Sequence, residues 1–165
     1  MDVKNKRIVV TGAASGIGKA LCEAFHEAKA QSIVAVDMNL DGAQETADSV
    51  NGIAIKANVG SEEDTINIIE KSDEHAGGID IYCSNAGIGG VPGFFEVNAS
   101  DWQNIWDVNV QSHIFAAKHV LPQMIERGEG YLVNTSSAAG LLTQLGAAGY
   151  SVTKAAAVSL SLIHI

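Results

Sequence analysis

The chain has 165 residues, of which 47% are apolar and 18% are charged, and its 19 acidic and 10 basic side chains give a net charge of −9. This composition supplies the core of a single domain spanning residues 1–165, and it excludes a disordered or fibrous chain. The acidic balance argues against a surface that binds nucleic acid or an anionic membrane.

The sequence contains no segment that predicts insertion into a membrane or export. No apolar run approaches the roughly 18 residues of a membrane-spanning helix, and the amino terminus lacks the apolar core of a signal peptide. Cys22 and Cys83 are too few for a disulfide framework or a zinc cluster, and the five histidines show no metal-binding spacing. We therefore expect a cytoplasmic protein with two buried, reduced thiols and no metal site.

Apolar, β-rich runs alternate with helical stretches along the chain. Five strands are predicted, over residues 7–11, 32–37, 52–57, 79–84 and 131–136, separated or followed by helices over residues 16–30, 40–50, 61–77, 100–127 and 148–163. Unbroken apolar runs in the first two strands are typical of strands buried on both faces of a parallel sheet. The pattern predicts an α/β fold, a doubly wound parallel sheet of the Rossmann type.

A glycine-rich turn directly follows the first strand. Its sequence is Thr-Gly-Ala-Ala-Ser-Gly-Ile-Gly, and Gly12, Gly16 and Gly18 precede the first helix. Glycines allow the backbone to approach a phosphate, and the free amide groups and positive dipole of a helix amino terminus attract an anion. The turn therefore predicts a site for the pyrophosphate of a dinucleotide.

Asp37 ends the second predicted strand, where an acidic residue binds the ribose hydroxyls of adenosine. Its charge would repel a 2′-phosphate, and neither Ser15 nor Met38 offers a cation to receive one. NAD is therefore predicted in preference to NADP.

Five motifs together resemble the short-chain dehydrogenases/reductases. They are the glycine turn, Asn85-Ala86-Gly87 after the fourth strand, Asn109 in a helix, Ser137 after the fifth strand, and Tyr150-x-x-x-Lys154. Their order and spacing match the family from residue 6 to about residue 160. The resemblance implies the family's fold and an NAD-dependent transfer of a hydride to or from an alcohol or carbonyl substrate.

The resemblance also implies which residues act. The catalytic set is Asn109, Ser137, Tyr150 and Lys154. Tyr150 would exchange the proton, the Lys154 ammonium would stabilise its phenolate, and Ser137 would bind the substrate oxygen. Asn109 would support a water molecule next to Lys154. Ser136 is less favoured than Ser137, whose distance from Tyr150 along the chain is typical of the family.

The residues implied to bind the cofactor follow the carboxyl ends of the strands or belong to the catalytic helix. They are Gly12, Ser15, Gly16, Ile17, Gly18, Asp37, Asn58, Val59, Asn85, Ala86, Gly87, Tyr150 and Lys154. Two positions depart from the family's pattern. Asn58 stands where the family commonly has Asp, and its amide oxygen can still accept a hydrogen bond from adenine. Ser84 stands where the family often has Asn.

The chain ends before the sixth and seventh strands and the substrate lid of the family, so we expect a C-terminally truncated member with a complete adenosine site. The alternative function is a truncated dinucleotide-binding or oligomer-forming module without turnover. A third reading is a nucleotide-sugar epimerase, which shares Tyr-x-x-x-Lys. The glycine spacing from Gly12 to Gly18 argues against that reading.

Two apolar segments are predicted to remain as substrate-facing walls, residues 88–97 with Phe94 and Phe95, and residues 141–145. They favour a hydrophobic alcohol or ketone, although packing explains them as well.

A homo-oligomer is also expected. The fifth strand would form an unpaired sheet edge, and the helices at about 100–127 and 148–163 would pair with those of a second copy. Small residues would allow the close approach of these helices: Ala148, Ala155, Ala156 and Ser159.

Overall fold

β1 (Arg7–Thr11) lies at the centre of a five-stranded parallel sheet in the computed structural model, which describes residues 2–142 and 144–162. The other strands are β2 (Ser32–Asp37), β3 (Ile53–Lys56), β4 (Ile81–Ser84) and β5 (Tyr131–Asn134). The strand order is β3-β2-β1-β4-β5, and every pair is parallel. The order reverses beside β1, as in doubly wound folds, so the predicted fold class is confirmed.

The described residues form six α-helices: α1 (Gly16–Glu27), α2 (Leu40–Ser49), α3 (Glu62–Ala76), α4 (Ala99–Trp106), α5 (Ser112–Arg127) and α6 (Ala148–Leu162). Of these, α1 and α2 cover one face of the sheet, and α3 and α5 cover the other. One apolar core joins the sheet to α1 and α2 and contains both cysteines, whose thiol pKa values burial raises to about 12. The second core joins the opposite face to α3 and α5, with Ile68 and Val120 completely buried.

Several predicted element ends are wrong by a few residues. The first helix ends at Glu27 rather than at residue 30, because Lys29 adopts a left-handed φ of 63°. The third strand is one residue shorter at each end than predicted. The prediction for the last helix includes residue 163, which lies outside the described residues.

The strand β4 starts at Ile81 rather than at residue 79, because side chains bind the backbone before it. The Ile79 amide donates to Gln123 Oε1 at 3.3 Å, and the Ile79 carbonyl accepts from the Arg127 guanidinium. The Arg7 guanidinium binds Asp80 next to it and holds the pKa of that carboxyl below its usual range.

The predicted helix over residues 100–127 is interrupted. A π turn, Asp107–Gln111, separates α4 from α5, and such a turn leaves no periodic signal in the sequence. The turn directs the two helices to different neighbours. Ile105 of α4 lies beside the loops, since a Cβ atom added at Gly90 would be 2.5 Å from its Cδ1 atom, whereas α5 packs on the sheet.

β5 forms one edge of the sheet within the described residues. Tyr131 and Val133 are exposed along it, as expected for a strand without a neighbour on one side. The predicted strand continues to residue 136, but β5 ends at Asn134. The Thr135 amide still donates to the Ser84 carbonyl at 3.0 Å, whereas the Thr135 carbonyl accepts from Lys154 instead of from a strand. In the part of the chain that the structure describes, no helix is long and apolar enough to cross a membrane.

Candidate active site

A cavity of about 590 Å³ opens at the carboxyl ends of the strands, where doubly wound sheets bind ligands. Every residue predicted to bind the cofactor lines it, including Tyr150 and Lys154. The other two predicted catalytic residues do not line it. Asn109 is completely buried, and of the two adjacent serines it is Ser136, not Ser137, that lines the cavity.

The glycine turn adopts a backbone conformation that residues with a Cβ atom could not adopt without strain or a clash. Gly12 has a φ of 70°, and a Cβ atom there would lie 3.0 Å from the Ala86 Cα atom. A Cβ atom at Gly18 would lie 2.0 Å from the Gly12 carbonyl oxygen, so this glycine brings α1 close to β1. Gly16 has a φ of 54°, and a Cβ atom at this position would meet open space that a ligand can occupy.

The amino terminus of α1 suits an anion such as a pyrophosphate. Its first turn contains no acidic residue. Ser15 is the N-cap residue in an extended conformation, and its hydroxyl makes no hydrogen bond to this first turn, all of whose residues the structure describes. The free amides and the helix dipole are therefore complemented by an available hydroxyl donor.

Asp37 faces the same cavity from the end of β2. Its Oδ2 atom accepts a hydrogen bond from the Ala14 amide at 3.1 Å, and its Oδ1 atom accepts one from the Asn39 amide at 3.0 Å. These bonds fix the carboxylate and leave further lone pairs on both oxygens for ribose hydroxyls. The donors and acceptors around the cavity thus fit an adenine dinucleotide.

Asn58 lines the cavity beyond Asp37 and is exposed. Its Oδ1 atom accepts a hydrogen bond from the Gly60 amide at 3.0 Å. An amide oxygen has a second lone pair, so this bond still allows the predicted contact with adenine.

Asn85 and two threonines join three strands beneath the cavity. The Thr11 Oγ1 atom accepts hydrogen bonds from the amides of Asn85 and Ala86. The Asn85 Nδ2 atom donates to the Thr11 carbonyl at 3.0 Å, and its Oδ1 atom accepts from the Thr135 hydroxyl at 3.0 Å. The sequence does not predict a role for either threonine, because these contacts connect residues distant along the chain.

Asn109 joins the π turn to the loop after β4. Its Oδ1 atom accepts from the Ile88 amide at 2.9 Å, and its Nδ2 atom donates to the Ile88 carbonyl at 2.9 Å and to Thr153 Oγ1 at 3.1 Å. These bonds make the Asn109 amide a positioning group for Ile88 and α6. A Cβ atom added at Gly87 would lie 3.2 Å from Asn109 Oδ1 and 3.4 Å from Lys154 Nζ, so both groups border one small space.

Tyr150 and Lys154 lie one turn apart on α6 and face the cavity together. The Lys154 Nζ atom is 5.9 Å from the centre of the Tyr150 ring and donates to the Thr135 carbonyl at 2.9 Å. Only 3% of Lys154 is exposed, and burial lowers the pKa of its ammonium. The hydrogen bond to the Thr135 carbonyl therefore holds the buried Lys154 ammonium beside the Tyr150 ring.

The two candidate serines have different contacts. Ser136 Oγ donates to the Lys154 carbonyl at 3.2 Å, whereas Ser137 Oγ accepts from the Ala139 amide at 3.2 Å. Ser137 begins a short 3₁₀ turn, Ala138–Gly140, that the sequence did not predict. The hydroxyl hydrogen of Ser137 is not used in the bond to Ala139, so it is free to donate to a substrate oxygen.

His113 is a buried titratable group on α5. Its Nδ1 atom is 3.1 Å from Asn134 Oδ1, and Asn134 Nδ2 donates to Ser161 Oγ at 3.0 Å. This orientation of the Asn134 amide places the imidazole proton on Nδ1. The Nε2 atom is buried with no hydrogen-bond partner among the described residues. Burial is the main cause that lowers the pKa of His113 to about 4.

This pKa predicts a loss of stability in acid. The unfolded chain binds a proton at His113 near the ordinary pKa of 6.5, whereas the folded protein resists it down to about 4. His113 therefore stabilises the fold fully above pH 6.5, and as the pH falls toward 4 the free energy of unfolding decreases by up to about 3 kcal/mol. Chemical denaturation at pH 7 and near pH 4 measures the free energy of unfolding at each pH. In His113→Gln, the decrease between the two values should be smaller by the contribution of His113. Replacing the exposed His26 by glutamine is the control, and an equal effect of both changes would contradict the assignment.

Comparisons with known proteins identify the family of the chain. A family model described as short chain dehydrogenase matches residues 6–163. An uncharacterized oxidoreductase of Bacillus subtilis is 33% identical over 167 residues, covering 98% of this chain and 62% of that protein. Glucose 1-dehydrogenase 2 of the same organism is 34% identical over 143 residues, covering 82% of this chain and 55% of that protein.

Solved structures resemble the chain over nearly its whole length. A short-chain dehydrogenase/reductase from Burkholderia phymatum in complex with NAD has a TM-score of 0.95 and 27% identity, covering 99% of this chain and 60% of that one. An NAD⁺-bound xylitol dehydrogenase has a TM-score of 0.93 and 28% identity, with 99% and 65% covered. The chain spans about three fifths of the length of most of these relatives. It belongs to the short-chain dehydrogenase family.

Proposed function

We propose that the protein is a cytoplasmic oxidoreductase that transfers a hydride between NAD(H) and an alcohol or carbonyl substrate. One observation carries this proposal. The glycine turn and Asp37 line the same cavity as Tyr150 and Lys154. Groups suited to bind a dinucleotide are thus continuous with groups suited to move a proton. Two solved relatives whose descriptions name bound NAD support this choice of cofactor.

The residues at the strand ends would hold NAD. The start of α1 and Ser15 suit its pyrophosphate, Asp37 suits the adenosine ribose, and Asn58 suits adenine. Asn85, Ala86 and Gly87 line the passage toward Lys154. When bound, the nicotinamide would supply the hydride acceptor or donor.

The remaining side chains would manage the proton and the substrate oxygen. Tyr150 removes the proton from an alcohol or returns it to a carbonyl oxygen. The buried Lys154 ammonium lies 5.9 Å from the centre of the Tyr150 ring, where its positive charge favours transfer of a proton at the tyrosine hydroxyl. Ser137 donates a hydrogen bond to the substrate oxygen. Asn109 holds the Ile88 backbone and α6 in place and supports a water molecule next to Lys154.

An absorbance assay for NADH, run on the full-length protein with a panel of alcohols, tests the proposed function. NAD binding is measured in parallel by titration calorimetry. Turnover of an alcohol with NAD is the expected result. If the protein binds NAD but neither oxidises any alcohol with NAD nor reduces any ketone with NADH, a dinucleotide-binding module without turnover would be favoured instead.

Asp37→Ala should shift the cofactor preference from NAD toward NADP. The change removes both the acceptor for the ribose hydroxyls and the charge that repels a 2′-phosphate. The difference in binding free energy between NAD and NADP should decrease by roughly 1–3 kcal/mol, which is about a fivefold to 150-fold change in the ratio of the two Kd values. Titration of both cofactors into both proteins gives this ratio.

Two further variants of this region separate charge from shape. Asp37→Asn retains an oxygen that accepts from the Ala14 amide but lacks the charge, so NADP binding should improve with less damage to the turn. Asp41→Ala removes a nearby charge from the first turn of α2 and should leave the ratio unchanged. An unchanged ratio in Asp37→Ala would show that this residue does not bind the ribose.

We also propose that the protein is a homo-oligomer assembled through α5 and α6. The two helices form an apolar groove on the outer surface, lined in part by Ile114, Leu121, Ile125 and Leu160. Ile125 is exposed, and on α6 Ala155 and Ser159 are exposed one turn apart. A second copy would cover these side chains at close approach.

Size-exclusion chromatography with light scattering should therefore show a dimer or a larger assembly. Ile125→Lys, which adds a second cation to a groove already lined by Lys118, should increase the monomer fraction. Ile66→Lys on the exposed side of α3 is the control. A wild-type monomer at micromolar concentration would contradict this interface.

A further inference from the structure

Two loops form one apolar rim beside the cavity. We define the rim as residues 91–95, after β4, and residues 141–146, after β5; residue 143 lies outside the described residues. The Gly93 amide donates to the Gly146 carbonyl at 2.9 Å, and Gly93 pairs with Ala147 in an isolated parallel bridge. The two loops are thus fixed to each other.

The rim is anchored next to the proposed proton donor. The Gln144 amide donates to Ser151 Oγ at 3.1 Å, and Ser151 directly follows Tyr150 on α6. The loop after β4 enters the rim through Ile88 and Gly89, which line the cavity together with Tyr150. A substrate whose oxygen lies at Tyr150 would therefore extend toward the rim.

Large apolar side chains of the rim are exposed to solvent. Phe95 is 95% exposed and Leu145 is 96% exposed, and Phe94, Leu141 and Leu142 are exposed as well. Single exposed apolar residues are ordinary on protein surfaces, but a group of five on two connected loops marks a surface that binds an apolar partner.

The same segments contain no formal charge. The sequence has no Asp, Glu, Lys or Arg from Ile81 to Phe95 or from Gly130 to Thr153, although 18% of the whole chain is charged. A carboxylate or phosphate on the substrate would find no cation on the rim, and the many hydroxyls of a sugar would find few side-chain partners.

Resting on the proposed function, we infer that the substrate is an uncharged secondary alcohol, or the corresponding ketone, with a large apolar group that contacts the rim. In the oxidation, the carbinol carbon loses a hydride to NAD⁺ and the hydroxyl loses a proton through Tyr150, which gives the ketone, NADH and one proton. This substrate class differs from the sugar and the polyol that the relatives' descriptions name.

The test compares kcat/KM for 2-propanol, 2-butanol, 2-hexanol, 2-octanol, 1-phenylethanol, 3-hydroxybutyrate, xylitol and glucose in the full-length protein. Each methylene that becomes buried should raise kcat/KM roughly fourfold, so 2-octanol and 1-phenylethanol should exceed 2-propanol by at least about tenfold. The charged and polyhydroxylated compounds should be the poorest substrates.

Variants of the rim show whether this gain arises there. Phe95→Ser and Leu145→Ser replace side chains that are almost fully exposed, so the fold should tolerate them. Each should lower kcat/KM for 2-octanol roughly fivefold to tenfold, while the value for 2-propanol and the Kd for NAD change less than about twofold. Ile66→Ser, at an exposed apolar position on α3, should change none of these values.

The outcomes distinguish this inference from the function on which it rests. Highest activity toward xylitol or glucose, or no dependence on the apolar group, would overturn the substrate class and leave the oxidoreductase in place. Rim variants that change only the oligomeric state would also overturn it, because the rim would then bind another copy. Absence of turnover with every compound would instead overturn the proposed function.

Discussion

Tyr150→Phe should lower kcat/KM by roughly 10²–10⁴-fold while the Kd for NAD changes by no more than about threefold. The phenylalanine ring retains the shape of the cavity wall near Lys154 but has no hydroxyl to exchange a proton with the substrate oxygen. Steady-state kinetics with NADH absorbance measures the first quantity, and titration calorimetry measures the second.

Tyr131→Phe is the matched control. Tyr131 is exposed on the edge strand β5 and does not line the cavity, so the loss of its hydroxyl should leave kcat/KM unchanged. If Tyr150→Phe retained a substantial fraction of wild-type activity, the acid and base of the reaction would have to be another group.

Lys154→Met should reduce both turnover and NAD affinity, by roughly 10²-fold or more in kcat/KM. Methionine fills much of the same buried volume, so the variant should fold, although it leaves the Thr135 carbonyl without its hydrogen-bond donor. Lys154 is the only cationic side chain among the described residues that line the cavity, so its removal leaves Tyr150 without a neighbouring charge there. The end of Lys154 also lies next to Gly87, in the passage proposed for the cofactor. Activity and NAD titrations give the two effects separately.

Lys154→Arg tests whether charge alone is sufficient. A guanidinium retains the positive charge, but it is planar and too large for the space of an ammonium that is almost completely buried, so activity should remain low. Unfolding curves of both variants show whether the fold is retained. Wild-type kcat/KM in Lys154→Met, with the fold intact, would refute the role of the lysine.

Much of the fold could be predicted because its signals are local. The buried apolar runs of β1 and β2 and the helical stretches between strands identified a parallel α/β sheet, and the comparisons confirm this fold. The predicted ends of strands and helices were less accurate where side chains distant along the chain determine them. The start of β4 depends on Arg7, Gln123 and Arg127, which lie far from it along the chain.

The candidate site likewise contains residues that local motifs predict and residues that only contacts between distant parts of the chain reveal. The glycine turn, Asp37 and the Tyr150/Lys154 pair are short motifs, and the structure places them around one cavity. Thr11, Thr135 and Thr153 carry no such signal, because each acts through a hydrogen bond to a residue on another element. The π turn likewise leaves no periodic signal in the sequence, and the contacts of Asn109 within it reach Ile88 and Thr153 on other parts of the chain.

The π turn also bears on how a helix of this kind can accommodate an added residue. A π turn contains about one residue more than an α-helical turn, so removing one residue from Asp107–Gln111 would restore ordinary helical geometry. Ile105 would then keep its place beside the loops, and α5 would keep its contacts with the sheet. The one added residue can therefore supply the hydrogen bonds from Asn109 to Ile88 and Thr153 while both neighbouring helices keep their packing.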